Sequence, residues 1–363
     1  MQSRPFLPSL CAAIKMPSRK PSAPVVVKRN RATGRVTLAD VAQHAGVSPI
    51  TVSRALRGER AVGADLVERV RKAADTLGYV PDPAARALAS SRSTHVAVLI
   101  PNFSNTVFVE LMDALQRTLV QAGYQTLIGV THYDPAEEEA VLRSMLAHRP
   151  AGLIITGLDR TPGATALIAG SGVPCVHVME LAQHEDDYSV GFSQQEAGAA
   201  ITRHLVELGR KRVVYVAAQL DRRAVQRGEG YDAAMRHYGL AEHIRWYQSS
   251  EPSSISLGGR MLERVLREAP DTDAIFFCND DLAQGALLTA LRLGLKVPER
   301  VSIAGFNDLP GSEQMLPPLT TVATPRREIG EQAGQMIIDL IRGREVEKRR
   351  LDLGFQIVKR QSA

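Results

Sequence analysis

Residues 37–57 constrain this chain more than any other stretch: Thr37-Leu38-Ala39-Asp40-Val41-Ala42-Gln43-His44-Ala45-Gly46-Val47-Ser48-Pro49-Ile50-Thr51-Val52-Ser53-Arg54-Ala55-Leu56-Arg57. Thr37 is a good N-cap, and Asp40 lies three residues on, where a carboxylate suits the helix dipole. Leu38, Val41, Ala42 and Ala45 share one helical face. Gly46 then stops the helix, because a left-handed C-cap costs glycine little. Ser48 caps a second helix, with Pro49 in its first turn, where a missing N–H does no harm. Ala42, Gly46, Val47 and Val52 hold the spacing that packs two helices across a tight turn. A third amphipathic segment, 65–77, supplies Leu66, Val70, Ala73, Ala74 and Leu77 to close a three-helix core. Ser48, Thr51, Ser53, Arg54 and Arg57 then face outward, as residue types that suit phosphates and base edges.

The charge distribution agrees. Of the 363 residues, 1–95 hold 16 Lys+Arg against 6 Asp+Glu, whereas 96–363 hold 28 against 33. A basic end on a mildly acidic body suggests a polyanion-binding end and a body with another task. Residues 1–35 contain no Asp or Glu, are interrupted by five prolines, and are expected to form a disordered basic arm. The arm either adds sequence-independent attraction to phosphates or is inert. A secretion signal is disfavoured by Pro8 and by the basic residues that follow; Met16 is an alternative start to Met1.

Hydrophobic residues make up 44% and charged residues 23%, which excludes wholesale disorder and fibrous repeats. Three dispersed cysteines, Cys11, Cys175 and Cys278, exclude a disulfide scaffold. No apolar run approaches the ~20 residues of a membrane span. From His95 the chain alternates short apolar runs (96–100, 125–129, 152–156, 175–179, 212–217, 244–248, 274–278, 301–305) with helical stretches (107–122, 136–147, 164–169, 194–208, 225–238, 257–268, 282–293). That alternation predicts parallel sheets with helices on both faces, in two doubly wound lobes with a ligand cleft at the strand ends. Enzymatic signatures are missing: no Gly-rich phosphate loop with Lys-Ser/Thr, no HExxH, no CxxC and no GxSxG. Asp280-Asp281 reads as a helix cap rather than a metal site, and neither a metal nor a cofactor is expected.

Residues 37–57, followed by Gly78-Tyr79-Val80-Pro81-Asp82-Pro83-Ala84-Ala85-Arg86-Ala87-Leu88-Ala89, are similar to the DNA-binding head and hinge of the lactose-repressor (LacI) family of bacterial regulators. Asn279-Asp280-Asp281-Leu282-Ala283, Gly305-Phe306-Asn307-Asp308 and Pro318-Leu319-Thr320-Thr321-Val322 extend the resemblance into the body, which resembles periplasmic binding proteins. The implied architecture is an all-α helix-turn-helix head plus an α/β core of two parallel-sheet lobes. Its segments are a basic arm (1–35), the head (36–80), a hinge helix and linker (81–94) and an effector-binding and dimerisation body (95–363). The hinge piece is too short to be helical alone and should order only against a twin and DNA, with Leu88 wedged into the minor groove. Thr37 and Leu38 join the outward residues as DNA-facing positions, and Pro49 and Ile50 match the family's two main base readers. Neither side chain can hydrogen-bond a base, so contact with thymine methyls and a larger role for Arg54 are expected.

The resemblance also implies an effector site of Phe108, Glu180, Arg227, Asn279 and Asn307, with Arg227 pairing an anionic or polyhydroxy ligand. Asn307 stands where the family usually has Asp. Gly123-Tyr124-Gln125-Thr126, Met179-Glu180, Val190-Gly191-Phe192, Asp221-Arg222-Arg223 and Leu351-Asp352-Leu353-Gly354-Phe355 are most similar to the gluconate and 2-ketogluconate repressor branch. The expectation is a cytoplasmic, nucleoid-associated homodimer without a leucine-heptad tail. It would be released from a pseudo-palindromic operator by a sugar acid, although relatives that need a corepressor leave the sign open. The competing readings are a solute receptor without DNA function and an unrecognised sugar-processing enzyme.

Overall fold

A computed structural model describes residues 36–56, 62–80, 93–103 and 106–363. The expected basic arm, Arg57 and the hinge segment with Leu88 lie outside the described residues. The chain divides into two compact units, residues 1–86 and 87–363.

In the first unit, α1 (Leu38–Ala45), α2 (Pro49–Leu56) and α3 (Ala64–Leu77) surround a small core. Thr37 and Asp40 form a reciprocal capping box: Asp40 N donates to Thr37 Oγ1 (3.3 Å), and Thr37 N donates to Asp40 Oδ2 (2.7 Å). The Thr37 hydroxyl and backbone N–H hold the Asp40 carboxyl below its ordinary pKa. Gly46 ends α1 in the left-handed region (φ 64°), which frees the chain to turn into α2. Val41, Ala42, Val52, Ala55, Val70, Ala73 and Ala74 are buried together, with Leu66 and Leu77 packed at the margin.

The second unit contains two parallel sheets. The first has strand order β11-β5-β4-β3-β1-β2: β1 is His95–Ile100, β2 Gln125–Val130, β3 Gly152–Thr156, β4 Cys175–Val178, β5 Tyr188–Gly191 and β11 Arg350–Asp352. The second has order β7-β6-β8-β9, from Trp246–Ser249, Val213–Ala218, Ala274–Phe277 and Ser302–Ala304. β10 (Thr321–Ala323) and β12 (Gln356–Val358) form a short antiparallel pair beside β9. Alternate residues of β1 serve opposite faces. Val96, Val98 and Ile100 pack with helix Val107–Gln121, whereas Ala97 and Leu99 pack with Leu142 and Met145 of helix Pro135–Ala147.

The chain passes between the lobes three times: from β5 to helix Gln194–Glu207, from β10 to helix Arg326–Ile341, and from β11 to β12. Helix Arg326–Ile341 returns to the first lobe and packs on helix Val107–Gln121 and strands β3–β5. That helix and strands β5, β10, β11 and β12 had no counterpart in the sequence expectation. Among the described residues no helix is long and apolar enough to cross a membrane.

Candidate functional site

In the head, α2 turns Val52 and Ala55 inward. Ser48, Pro49, Ile50 and Arg54 are exposed, while Thr51, Ser53, Thr37 and Leu38 are half-buried. Ser48 Oγ accepts from the backbone N of Thr51 (3.2 Å) and pairs with Thr51 Oγ1 (2.8 Å), which fixes the first turn of the helix. Ile50 is 66% exposed, an apolar side chain with no packing role in the isolated head.

In the body, strands end on side chains that cap the next helix. Ser193, Asp221, Ser254 and Asn279 each accept a backbone N–H at the start of helices Gln194–Glu207, Arg222–His237, Ile255–Glu268 and Asp280–Arg292. This places helix N-termini and strand ends around a cleft between the lobes. Val107, Phe108, Tyr133 and Met179 line it from the first lobe. Ala218, Gln219, Asp221, Arg223, Ala224, Arg227, Cys278, Asn279 and Asn307 line it from the second.

Arg227 lies on the cavity floor, 8% exposed. Its Nε donates to Gln194 Oε1 (2.7 Å) and its Nη1 to the Cys278 carbonyl (2.6 Å), and its guanidinium carbon sits 3.9 Å from the centre of the Phe306 ring. Burial pulls its pKa down from the ordinary arginine value, against the pull of Asp221. Two close helix contacts fix its backbone. A Cβ on Gly198 would stand 2.2 Å from the Arg227 carbonyl, and one on Gly230 would stand 2.0 Å from that of Gln195. Only glycine lets helices Gln194–Glu207 and Arg222–His237 approach this closely.

Arg223, one helical turn earlier, is held differently. Its Nη2 donates to Asp221 Oδ2 (2.8 Å), and its guanidinium lies 5.7 Å from the Phe108 ring centre and 5.8 Å from that of Tyr133. Burial is the largest single influence on Arg223 and opposes its charge, but Asp221, Tyr133 and Glu180 together outweigh it and raise the pKa. Burial likewise pushes the Asp221 carboxyl up, yet Arg223 and Arg227 together hold it below its ordinary value.

Among the described residues, Asn307 Oδ1 in the cavity lining and Glu180 Oε1 beside it are buried acceptors without a protein partner, on residues each 3% exposed. A buried polar atom left without a hydrogen bond costs about 1–3 kcal/mol, so such atoms commonly await a ligand or water. Burial raises the Glu180 pKa, partly offset by Arg223. Asn307 has a left-handed backbone (φ 110°), and Arg326 Nη1 donates to its carbonyl. Asn279 is committed to structure: its Oδ1 caps Leu282 N (3.1 Å) and its amide nitrogen donates to Ser253 Oγ (2.7 Å).

Phe108, Arg227, Asn279 and Asn307 thus line one cavity, and Glu180 follows its lining residue Met179. Sequence reasoning missed Asp221, Arg223, Tyr133 and Gln194 as site residues. Asp221 is a preferred N-cap residue type three positions after β6, and that cue would have moved the helix start from 225 back to Arg222. Tyr133 sits in a loop with left-handed backbone and carries no such signal. Among the described residues no group of three or more His, Cys, Asp or Glu is placed to hold a metal.

Comparison with known proteins gives a consistent picture. Residues 37–82 match the family described as "Bacterial regulatory proteins, lacI family", and residues 202–363 match "Periplasmic binding protein-like domain". The chain is 48% identical to an HTH-type transcriptional regulator GntR of Pseudomonas aeruginosa, over 92% of this chain and 98% of the relative. It is 36% identical to the GntR regulator of Escherichia coli K12, over 89% and 97%. Its structure is similar to that of a lac repressor dimer bound to operator and the anti-inducer ONPF, with a TM-score of 0.80 and 26% identity, over 90% of this chain and 99% of that one.

Proposed function

The chain belongs to the lacI family of bacterial regulatory proteins, and from that premise we propose that it is a cytoplasmic repressor whose grip on operator DNA is released by a sugar acid such as gluconate or 2-ketogluconate. It is a transcriptional regulator and not an enzyme. The observation that carries the effector reading is the interlobe cavity. Two buried arginines and the unpartnered Asn307 Oδ1 line it, and Glu180, next in sequence to its lining residue Met179, carries a second unpartnered acceptor; this arrangement suits a small molecule that has both negative charge and hydroxyls.

The head supplies DNA contact through Thr37, Leu38, Ser48, Pro49, Ile50, Thr51, Ser53, Arg54 and Arg57, with Leu88 acting at the centre of the site. The effector contacts are Phe108, Glu180, Arg227, Asn279 and Asn307. Residues 36–80 form the reading unit, 81–94 the hinge and 95–363 the receptor. The protein acts as a homodimer on a pseudo-palindromic site. Effector binding and DNA binding oppose each other through one linkage, so operator weakens effector binding by the same factor by which effector weakens operator binding.

A solute receptor without DNA function fits the body alone, but the head's match to the lacI family argues against it. Calorimetry of the full chain with gluconate, 2-ketogluconate, a neutral hexose and a purine tests the ligand class. Saturable binding of a sugar acid alone is expected. Binding of only the neutral sugar or the purine would overturn the reading.

A further inference from the structure

We propose that Arg223, rather than Arg227, receives the carboxylate of the effector, so that the cavity selects a monoanionic polyhydroxy acid over its uncharged counterpart. The inference rests on the receptor reading above and assigns the chemistry within that same cavity.

The two guanidinium groups differ in what they have left to offer. Arg227 already uses Nε and Nη1 on Gln194 and the Cys278 carbonyl, and Phe306 covers one of its faces. It holds helix Arg222–His237 to the strand end at Cys278 and to the start of helix Gln194–Glu207. Arg223 makes one hydrogen bond to the described protein, from Nη2 to Asp221. The remaining edge of its planar fork matches a carboxylate, which can accept two parallel N–H bonds.

The surroundings of Arg223 strengthen that match. Phe108 and Tyr133 from the first lobe flank a guanidinium that the second lobe supplies. A charge that is only 7% exposed, between aromatic rings, interacts with an incoming anion in low dielectric, where attraction is several times stronger than in water. Asp221 keeps Arg223 paired while the cavity is empty, since an uncompensated buried charge would be costly. Asp221 Oδ1 is anchored to Ala224 N (2.8 Å), so only Oδ2 faces the guanidinium.

The same cavity discriminates against a second negative charge. Asp221 and the Glu180 carboxyl repel a dianion such as a phosphorylated sugar or a diacid. Glu180 Oε1 and Asn307 Oδ1, both without partners, accept the hydroxyls of the ligand's polyol end. One anionic end at Arg223 and hydroxyls at Glu180 and Asn307 describe a sugar monocarboxylate.

The test is calorimetry of the full chain with gluconate and with glucitol, its uncharged polyol counterpart, for wild type, Arg223→Met and Asp221→Asn. Wild type should bind gluconate at least 30-fold more tightly than glucitol. Arg223→Met should reduce that preference to within threefold, mainly by weakening gluconate. Asp221→Asn retains an amide oxygen to cap Ala224 and removes the competing charge, so gluconate should bind three- to tenfold more tightly. Arg223→Met that keeps wild-type gluconate affinity within threefold would overturn this inference and leave the receptor reading standing. If that variant fails to fold, Asp221→Asn decides, and unchanged or weaker gluconate binding overturns the inference. A wild-type protein that binds neither gluconate nor any other sugar acid overturns both.

Discussion

Arg326 Nη2 lies 3.1 Å from Glu110 Oε2, although 216 residues separate the two in sequence. The same guanidinium donates to the carbonyls of Asn307 and Asp308. One side chain at the second lobe crossing therefore ties the cavity's left-handed Asn307–Asp308 turn to the helix that carries Phe108. Because Glu110 is over a third exposed, removing its charge should cost at most about 1 kcal/mol of stability. Glu110→Gln is instead expected to loosen the coupling. The ratio of operator Kd with and without gluconate should fall to less than a third of the wild-type ratio in fluorescence anisotropy. An unchanged ratio would remove this clasp from the mechanism.

Thr37→Ala removes the hydroxyl that caps α1 and that is one of the two donors to Asp40, leaving the Thr37 backbone N–H as the other. Loss of such a cap costs about 1 kcal/mol, occasionally about 2. The head is small, so a change of this size is a large part of its stability. Operator binding should weaken several-fold, while calorimetric gluconate affinity stays within twofold of wild type.

His177 gives a pH signature. It is buried on β4, where burial first and the Arg160 guanidinium second press its pKa down to about 3. The unfolded chain takes up a proton near the ordinary histidine value of about 6.5, but the folded protein does so only near 3. The stability contributed by neutral His177 is therefore complete above the unfolded value and is lost as pH falls through this window, by up to about 1.4 kcal/mol per pH unit. Glu138 and Glu180, whose pKa values are raised mainly by burial, act in the opposite sense: they favour the folded state at low pH and lose that contribution as pH rises. As pH falls from 7 to 5, removal of His177 should make the urea midpoint of His177→Gln change in the stabilising direction relative to wild type, with the difference growing across the window.

Leu291 and Leu316 line a surface groove of the second lobe with Val297, and they are 56% and 70% exposed. Leu288 and Leu293 on the same stretch are also exposed. Apolar exposure of this kind suits a subunit interface. On the homodimer proposed above, Leu291→Glu is expected to favour the monomer in sedimentation. Operator affinity should fall at least 30-fold, because two heads no longer bind as one unit. A dimer of unaltered stability would show that the subunits meet elsewhere.

The parts of this structure that were legible in the sequence are those specified by local rules. Thr37, Asp40 and Gly46 announce the first helix and its end, and the apolar runs of β1, β3 and β8 announce buried strands. β10, β11 and β12 are three residues each, too short for a period-two pattern, and lobe crossings set their pairing. Helix Arg326–Ile341 is obscured by Gly330 and Gly334, which read as breakers. In the fold, a Cβ on Gly330 would stand 2.3 Å from the Leu111 carbonyl, so that glycine permits close contact with helix Val107–Gln121. In the cavity, Arg227 was identifiable because its motif is distinctive. Arg223 was overlooked because its role depends on Asp221, Phe108 and Tyr133, which meet only in three dimensions. The isolation of Glu180 Oε1 depends on packing and has no sequence signal.

In the proposed mechanism, one ligand in the cavity changes the grip of the head on duplex DNA. The direct measurement is anisotropy of a fluorescent palindromic fragment, selected by the full chain from a random duplex pool, titrated at near-cellular ionic strength with and without saturating gluconate or 2-ketogluconate. Tight binding is expected without ligand and at least tenfold weaker binding with it. A protein that selects no palindrome, or whose selected fragment binds equally at every sugar-acid concentration, would contradict this mechanism.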